Sequence, residues 1–167
     1  TIQAGLDSLP TSLAGHACVV IRDGATYAEQ VTVRGFINNG SSITIQADQA
    51  SGLTPVVSPP AGSTAAFLIA NSSVNLRGIS AAISQDIPYG VWASSANVQL
   101  SSVSVSTSGG LGIYTAGVRL GSWSAISSST IMAWNAHGLW LSASARTSVS
   151  YSSVSSLHPG FSALYLD

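Results

Sequence analysis

Hydrophobic and polar residues alternate in short runs along most of the chain, and Gly, Asn and Pro residues separate the runs. Alternation with a period of two, bounded by turn residues, is typical of β-strands that bury one face. Three early runs fit this pattern, at residues 17–21, 30–33 and 42–46. The pattern therefore predicts a protein built from many short strands.

The start of the chain, positions 1–13, follows a different period. Ile2, Leu6, Leu9 and Leu13 are spaced by four, three and four positions, which places them on one face of a helix. Pro10 ends the regular helix near residue 8 or 9. We expect a short amphipathic helix that caps an open sheet end and protects its unpaired edge from other chains.

From residue 65 onward the sequence repeats itself. An aliphatic residue followed by a bulky one recurs at nearly regular steps, in Phe67-Leu68, Val91-Trp92, Ile113-Tyr114, Leu139-Trp140 and Leu164-Tyr165. A period of about 24 residues with three short strands in each period is typical of a solenoid. The sequence predicts an all-β, right-handed parallel β-helix with three-stranded coils of roughly 22–26 residues.

These patterns divide a single predicted domain, residues 1–167, into three parts. A capping helix covers 1–13, the first coils cover 17–64, and regular coils cover 65–167. The segment 48–63 is rich in Pro and Gly and reads as a loop excursion, in which Val56-Val57 is a possible short strand. The chain stops within a predicted strand, so we expect an open C-terminal end and a longer parent protein.

The composition narrows the classes of function. Charged residues make up 7% of the chain, the net charge is -1 and Lys is absent, which predicts no surface for nucleic acid. No apolar run approaches the ~20 residues of a membrane-spanning helix. Ser supplies most of the polar surface, and an extracellular or cell-surface protein is expected. Cys18, the single cysteine, lies in an apolar run and is predicted to be a buried thiol.

Two segments resemble a known family. Residues 19–33, with the sequence VVIRDGATYAEQVTV, and residues 63–79 resemble the opening coils of pectinesterases, which belong to the pectin-lyase-like superfamily of right-handed β-helix proteins. The resemblance covers about the first half of the chain. It implies that Gly24 serves a turn, that Tyr27 packs, and that Val31 and Val33 enter the core.

The resemblance also defines what a catalytic site would need. Pectinesterases use two Asp residues on neighbouring coils, polygalacturonases use an Asp cluster, and the lyases bind Ca²⁺ through carboxylates beside a basic residue. The acidic residues of this chain are Asp7, Asp23, Glu29, Asp48, Asp86 and Asp167. No two of them match those motifs, so we predict no catalytic residue, metal site or cofactor here. His16, His137 and His158 are predicted to be solvent-exposed turn residues.

The predicted interaction site is a column of aromatic residues: Trp92, Tyr114, Trp140 and Tyr165. Each is predicted to face outward at the same position of its coil, one ring every ~4.8 Å. The coil spacing is close to the length of one sugar unit, so the column is a candidate platform for an extended glycan. An alternative is that the segment 48–63, the inserts near 117–122 and 142–146, or a neighbouring chain covers the column.

Three functional hypotheses follow. The leading one is a non-catalytic extracellular β-helix, a structural or adhesive segment of a larger surface protein whose partner is a polysaccharide or a neighbouring protein surface. The second is the N-terminal part of a pectinesterase-like or polysaccharide-lyase-like enzyme with its site beyond residue 167. The third is a scaffold or fibre subunit that associates with itself end to end or laterally.

Overall fold

The computed structural model describes residues 1–107, 112–142 and 145–167. These residues form three parallel sheets of six strands each, together with a short N-terminal helix. Each coil contributes one strand to each sheet, so the chain winds into a β-solenoid. The predicted stack of three-stranded coils is confirmed, and its right-handed winding stays a prediction.

Strands from successive coils pair in register within each sheet. Sheet 1 contains β1 (Ala17–Ile21), β4 (Ile43–Ala47), β7 (Ser73–Arg77), β10 (Asn97–Ser101), β13 (Trp123–Ser127) and β16 (Arg146–Ser150). Sheet 2 contains β2 (Thr26–Tyr27), β5 (Val56–Val57), β8 (Ser80–Ile83), β11 (Ser104–Thr107), β14 (Thr130–Ala133) and β17 (Ser153–Ser156). Sheet 3 contains β3 (Val31–Val33), β6 (Ala65–Ala70), β9 (Ile87–Ser94), β12 (Ile113–Leu120), β15 (His137–Leu141) and β18 (Leu164–Leu166).

The core runs along the solenoid axis and consists of stacked aliphatic side chains. In sheet 1, Ile45 pairs with Leu76, which pairs with Leu100, and all three are at most 1% exposed. In sheet 3, Val31 pairs with Phe67, and both are fully buried. Parallel strands with like residues at like positions bury their inward side chains coil after coil, and this burial stabilises the stack.

The N-terminal helix α1 (Ile2–Asp7) caps the first coil, as predicted, although it is shorter than residues 1–13. Ile2 and Leu6 are buried over the end of the core. The side-chain amide of Gln3 donates to the carbonyl of Thr32 (3.2 Å) and accepts from its N–H (2.7 Å). These are the two hydrogen bonds that a neighbouring strand would make with the edge of β3. The Glu29 carboxylate accepts from the N–H of Ile2 at 2.7 Å and satisfies an unpaired donor of the helix.

The short strand predicted at Val56-Val57 within the segment 48–63 is present, and its pairing makes it part of the solenoid and not of an excursion. Val56–Val57 forms β5, which pairs with β2 on one side and β8 on the other. The segment therefore consists of a strand of the second coil, β5, with one turn before it and one turn after it. Pro55 and Pro59 flank this strand and are buried, which explains why a Pro-rich sequence still fits the stack.

The prediction of a buried Cys18 is also wrong, because its thiol is exposed. Ala17 and Val19 lie against the core, so the period-two alternation turns Cys18 and Val20 outward. The outer face of sheet 1 is not covered at this coil. An outward-facing residue of β1 is therefore exposed even when its neighbours along the chain are apolar.

The turn before β2 confirms the role expected for Tyr27. Its ring packs against the core, and its hydroxyl donates to the Asp23 carboxylate at 2.7 Å. Asp23 also accepts from the N–H of Ala25 at 3.1 Å, which closes the turn. These two hydrogen bonds lower the pKa of Asp23, and the one from Tyr27 raises the pKa of the phenol to about 12.

We therefore expect Tyr27 to ionise near pH 12, above the usual value of about 10 for tyrosine. A raised pKa means that the hydrogen bond stabilises the folded state fully below the unfolded pKa and loses this effect as the pH rises to about 12. Phenolate absorbance during a pH titration measures the pKa of Tyr27. Asp23→Ala should return the Tyr27 titration step toward the ordinary pKa, and Tyr27→Phe should remove that step. An unchanged titration in Asp23→Ala would contradict the assignment.

Candidate functional site

A four-residue unit recurs on the strands of sheet 3. Its first and fourth residues face outward, its second is Gly or Ala, and its third is a buried apolar residue. The unit appears as Ala65-Ala66-Phe67-Leu68, Tyr89-Gly90-Val91-Trp92, Ala116-Gly117-Val118-Arg119 and His137-Gly138-Leu139-Trp140. The outward residues of sheet 3 therefore form two parallel columns.

The small second residue is a steric requirement. A Cβ added to Gly90 would lie 2.4 Å from Cγ1 of Val105 and 2.6 Å from the carbonyl oxygen of Gly117. A Cβ added to Gly117 would lie 2.8 Å from both the carbonyl oxygen of Gly138 and Cγ2 of Ile131. The second and third residues both face the core, which places the first and fourth on the outer side of the sheet, where Ala65, Tyr89 and Ala116 are covered by Trp92 and Trp140. The glycine thus makes the two outward columns possible.

Strand pairing corrects the predicted aromatic column. Trp92 pairs with Arg119, Arg119 pairs with Trp140, and Trp140 pairs with Tyr165, so the second column contains Arg119 in place of Tyr114. The register of β12 shifts between Ile113 and Ala116, which leaves Tyr114 outside the column. Tyr114 is 54% exposed. The structure thus brings together three of the four predicted residues.

We call the outward surface of sheet 3 the aromatic face and define it by Tyr89, Trp92, Arg119, His137, Trp140 and Tyr165. Its ring centroids lie 5.3 Å apart between Tyr89 and Trp92, and 5.1 Å apart between Trp140 and Tyr165. The guanidinium carbon of Arg119 lies 4.6 Å from the centroid of Trp140, and Arg119 donates to the hydroxyl of Tyr89 at 3.1 Å. Arg119 therefore connects the rings of its two neighbouring coils.

The prediction of a turn position for His137 is wrong. His137 begins β15, is half-buried, and stacks on Tyr165 with 4.3 Å between the ring centroids. Its Nδ1 accepts a hydrogen bond from the N–H of Ser162 at 3.1 Å. Sequence spacing could not show this, because the contacts come from the following coil. His158 is exposed and contacts Phe161 edge-on.

Residues 56–57 and 117–120 of the proposed covering segments are strands of the solenoid itself. Residues 48–63 belong to the second coil and add β5 to sheet 2, while residues 117–120 are part of β12 in sheet 3 itself. In the third segment, 142–146, the N–H of Ala145 donates to the carbonyl of Ser142, and residues 143–144 lie outside the described residues. Trp92 and Trp140 are half-buried by their neighbours, and Tyr165 is 37% exposed.

Three of the carboxylates bind groups that stabilise the fold. Glu29 binds the start of the helix, Asp23 binds Tyr27, and Asp86 accepts from the N–H of Gly112 at 3.0 Å. Within residues 1–107, 112–142 and 145–167, no three His, Cys, Asp or Glu side chains come together as a metal site would require. The same residues contain no helix with the length and apolar character needed to cross a bilayer.

Comparison of the chain with protein-family models, with curated proteins and with solved structures gives no match. The solenoid architecture is established by its own strand pairing. The resemblance to the opening coils of pectinesterases stays a prediction, and any functional conclusion depends on the geometry of this chain.

Proposed function

We propose that this chain is a non-catalytic β-solenoid that serves as a structural or adhesive element outside the cell and binds a polysaccharide along its aromatic face. One observation carries the proposal. Planar side chains occupy the same outward position in four consecutive coils: Trp92, Arg119, Trp140 and Tyr165. The bound chain would run parallel to the solenoid axis.

The spacing of these planar groups supports the proposal. Strands within a sheet are ~4.8 Å apart, so one planar group is available for each pyranose of an extended glycan. Aromatic faces pack against the apolar C–H surface of a sugar ring. Arg119 keeps the column continuous between Trp92 and Trp140, where the column position is not aromatic, because its guanidinium lies over the ring of Trp140.

A rigid platform strengthens such binding. The aromatic side chains contact one another and the paired strands fix their backbone, so little side-chain freedom is lost when a ligand binds. The extracellular location is supported by composition alone, through the 7% content of charged residues and the abundance of Ser. A partly apolar strip on such a polar surface is a candidate interaction site.

The first test replaces two rings of the column. We expect Trp92→Ala combined with Trp140→Ala to weaken glycan binding by about 100-fold, because each lost stacking contact contributes about 1.4 kcal/mol. A glycan array identifies a ligand, and isothermal titration calorimetry with that ligand measures the affinity of each variant. Circular dichroism verifies that the solenoid is retained.

Matched controls use aromatic residues outside the column. Trp134, which lies in the turn between β14 and β15, is 45% exposed, and Tyr114 is 54% exposed. Trp134→Ala and Tyr114→Ala should leave the affinity unchanged, whereas Tyr165→Ala should weaken it. Equal affinity of the folded double variant and the parent chain would exclude the aromatic face as the binding site.

A further inference from the structure

A second surface, on the outer face of sheet 1, has the chemistry of a separate binding site. An open groove there encloses about 440 Å³, within the usual size of ligand sites. We define the sheet 1 groove by six lining residues: His16, Ser42, Asn75, Asn97, Gln99 and Trp123. It lies on a different sheet from the aromatic face and shares no residue with it.

The floor of the groove consists of amide and hydroxyl groups. Asn75 donates from Nδ2 to the hydroxyl oxygens of Ser42 and Thr44, both at 3.2 Å, so the preceding coil holds its amide in place. Asn75 pairs in register with Gln99, which is exposed, and Asn97 is exposed beside it. Asn75 keeps its amide oxygen as an acceptor, and the exposed amides of Gln99 and Asn97 can both donate to and accept from the hydroxyl groups of a ligand.

One end of the groove presents an oriented imidazole. Nδ1 of His16 accepts a hydrogen bond from the backbone N–H of Ser42 at 3.1 Å. A backbone N–H can only donate, so Nδ1 carries no proton, and the neutral ring has its N–H at Nε2. His16 is exposed, and it adds a donor to the amides of the floor.

The other end presents an aromatic ring. Trp123 is 63% exposed, and the guanidinium carbon of Arg146 lies 4.8 Å from its centroid. Arg146 pairs with Trp123 from the next coil, whereas the groove extends over the preceding coils. The guanidinium therefore covers one face of the ring, and Trp123 lines the groove with the rest of its exposed surface.

The absence of charge defines the class of ligand. The side chains that line the groove include no Asp, Glu, Lys or Arg, and the structure describes all of them. Phosphate or carboxylate ligands need cationic partners, whereas uncharged hydroxyl groups are satisfied by amides, hydroxyls and imidazole. A floor of this kind with an open indole at one end suits a pyranose that stacks on the ring.

From these observations we propose that the sheet 1 groove binds an uncharged oligosaccharide, with one sugar stacked on Trp123 and the following sugars hydrogen-bonded to Gln99, Asn97 and Asn75. The groove extends from β1 to β13, about 19 Å at ~4.8 Å per strand, which is room for about four sugar units. This site is independent of the aromatic face.

The test titrates the whole chain with cellohexaose, mannohexaose and, as an anionic comparison, hexagalacturonate, and it uses isothermal titration calorimetry. We expect at least one neutral hexasaccharide to bind. Trp123→Ala should then lower its affinity at least tenfold, Gln99→Ala should lower it severalfold, and Trp123→Phe should retain most of it. Trp134→Ala, another exposed tryptophan, serves as the control and should have no effect.

Trp92→Ala separates this site from the aromatic face. A loss of affinity in Trp123→Ala but not in Trp92→Ala supports the sheet 1 groove. A loss in Trp92→Ala alone assigns the sugar to the aromatic face and overturns the inference. Failure of both neutral hexasaccharides to bind, or tighter binding of hexagalacturonate, would also overturn it. Circular dichroism of each variant excludes loss of the fold as the cause.

Discussion

Gly90→Ala is expected to lower the free energy of unfolding by about 3 kcal/mol, near the upper end for overpacked cores. The new Cβ would lie 2.4 Å from Val105 Cγ1 and 2.6 Å from the carbonyl oxygen of Gly117. The oxygen belongs to the backbone of the next strand and cannot move without disturbing the pairing of β9 with β12. Denaturant unfolding followed by circular dichroism measures the change.

Gly15→Ala is the matched control. A Cβ at Gly15 meets nothing within 4 Å, so the same chemical change should alter stability by less than about 0.5 kcal/mol. If both variants lost the same stability, general loss of glycine flexibility would explain the effect. Wild-type stability of Gly90→Ala would mean that the backbone of sheet 3 is less tightly packed than its geometry indicates.

The strands and the repeat were predictable because they depend on local patterns. The alternation at residues 17–21 coincides with β1, and the spacing of Ile2 and Leu6 identified the capping helix. A solenoid repeats one unit, so the regular period of the sequence already implied the architecture that the strand pairing confirms. Val31 and Val33 are fully buried, as the resemblance to pectinesterases implied.

The register of the third regular coil was not predictable by residue type alone. Ile113-Tyr114 matched the aliphatic and bulky pattern, but the pairing of Trp92 with Arg119 is set by neighbouring strands. A better signal was present in the sequence: Gly followed by an aliphatic residue and a planar one, in Gly90-Val91-Trp92, Gly117-Val118-Arg119 and Gly138-Leu139-Trp140. The backbone of the next coil requires that glycine, so it marks the register more reliably than the outward side chain does.

Side-chain exposure was the least predictable property. Cys18 was misplaced because an apolar run does not show which face of its strand is covered, and His137 was misplaced because its contacts come from the following coil. The sheet 1 groove was missed for the same reason, since it joins His16 to Trp123 across five strands of one sheet. Individually these polar residues resemble ordinary surface positions, and only the register assembles them into a site.

The assignment of inward and outward positions in sheet 3 makes a second large effect testable with two adjacent residues. Phe67 is fully buried and Leu68 beside it is half-buried, in the column that contains Trp92. We expect Phe67→Ala to lower the free energy of unfolding by about 3–5 kcal/mol, because it leaves a cavity in the core. Leu68→Ala should cost about 1 kcal/mol or less, since solvent or neighbouring side chains can fill the space. Denaturant unfolding of both variants measures the difference, and equal losses would show that the outward column, and with it the aromatic face, had been assigned to the wrong side of the sheet.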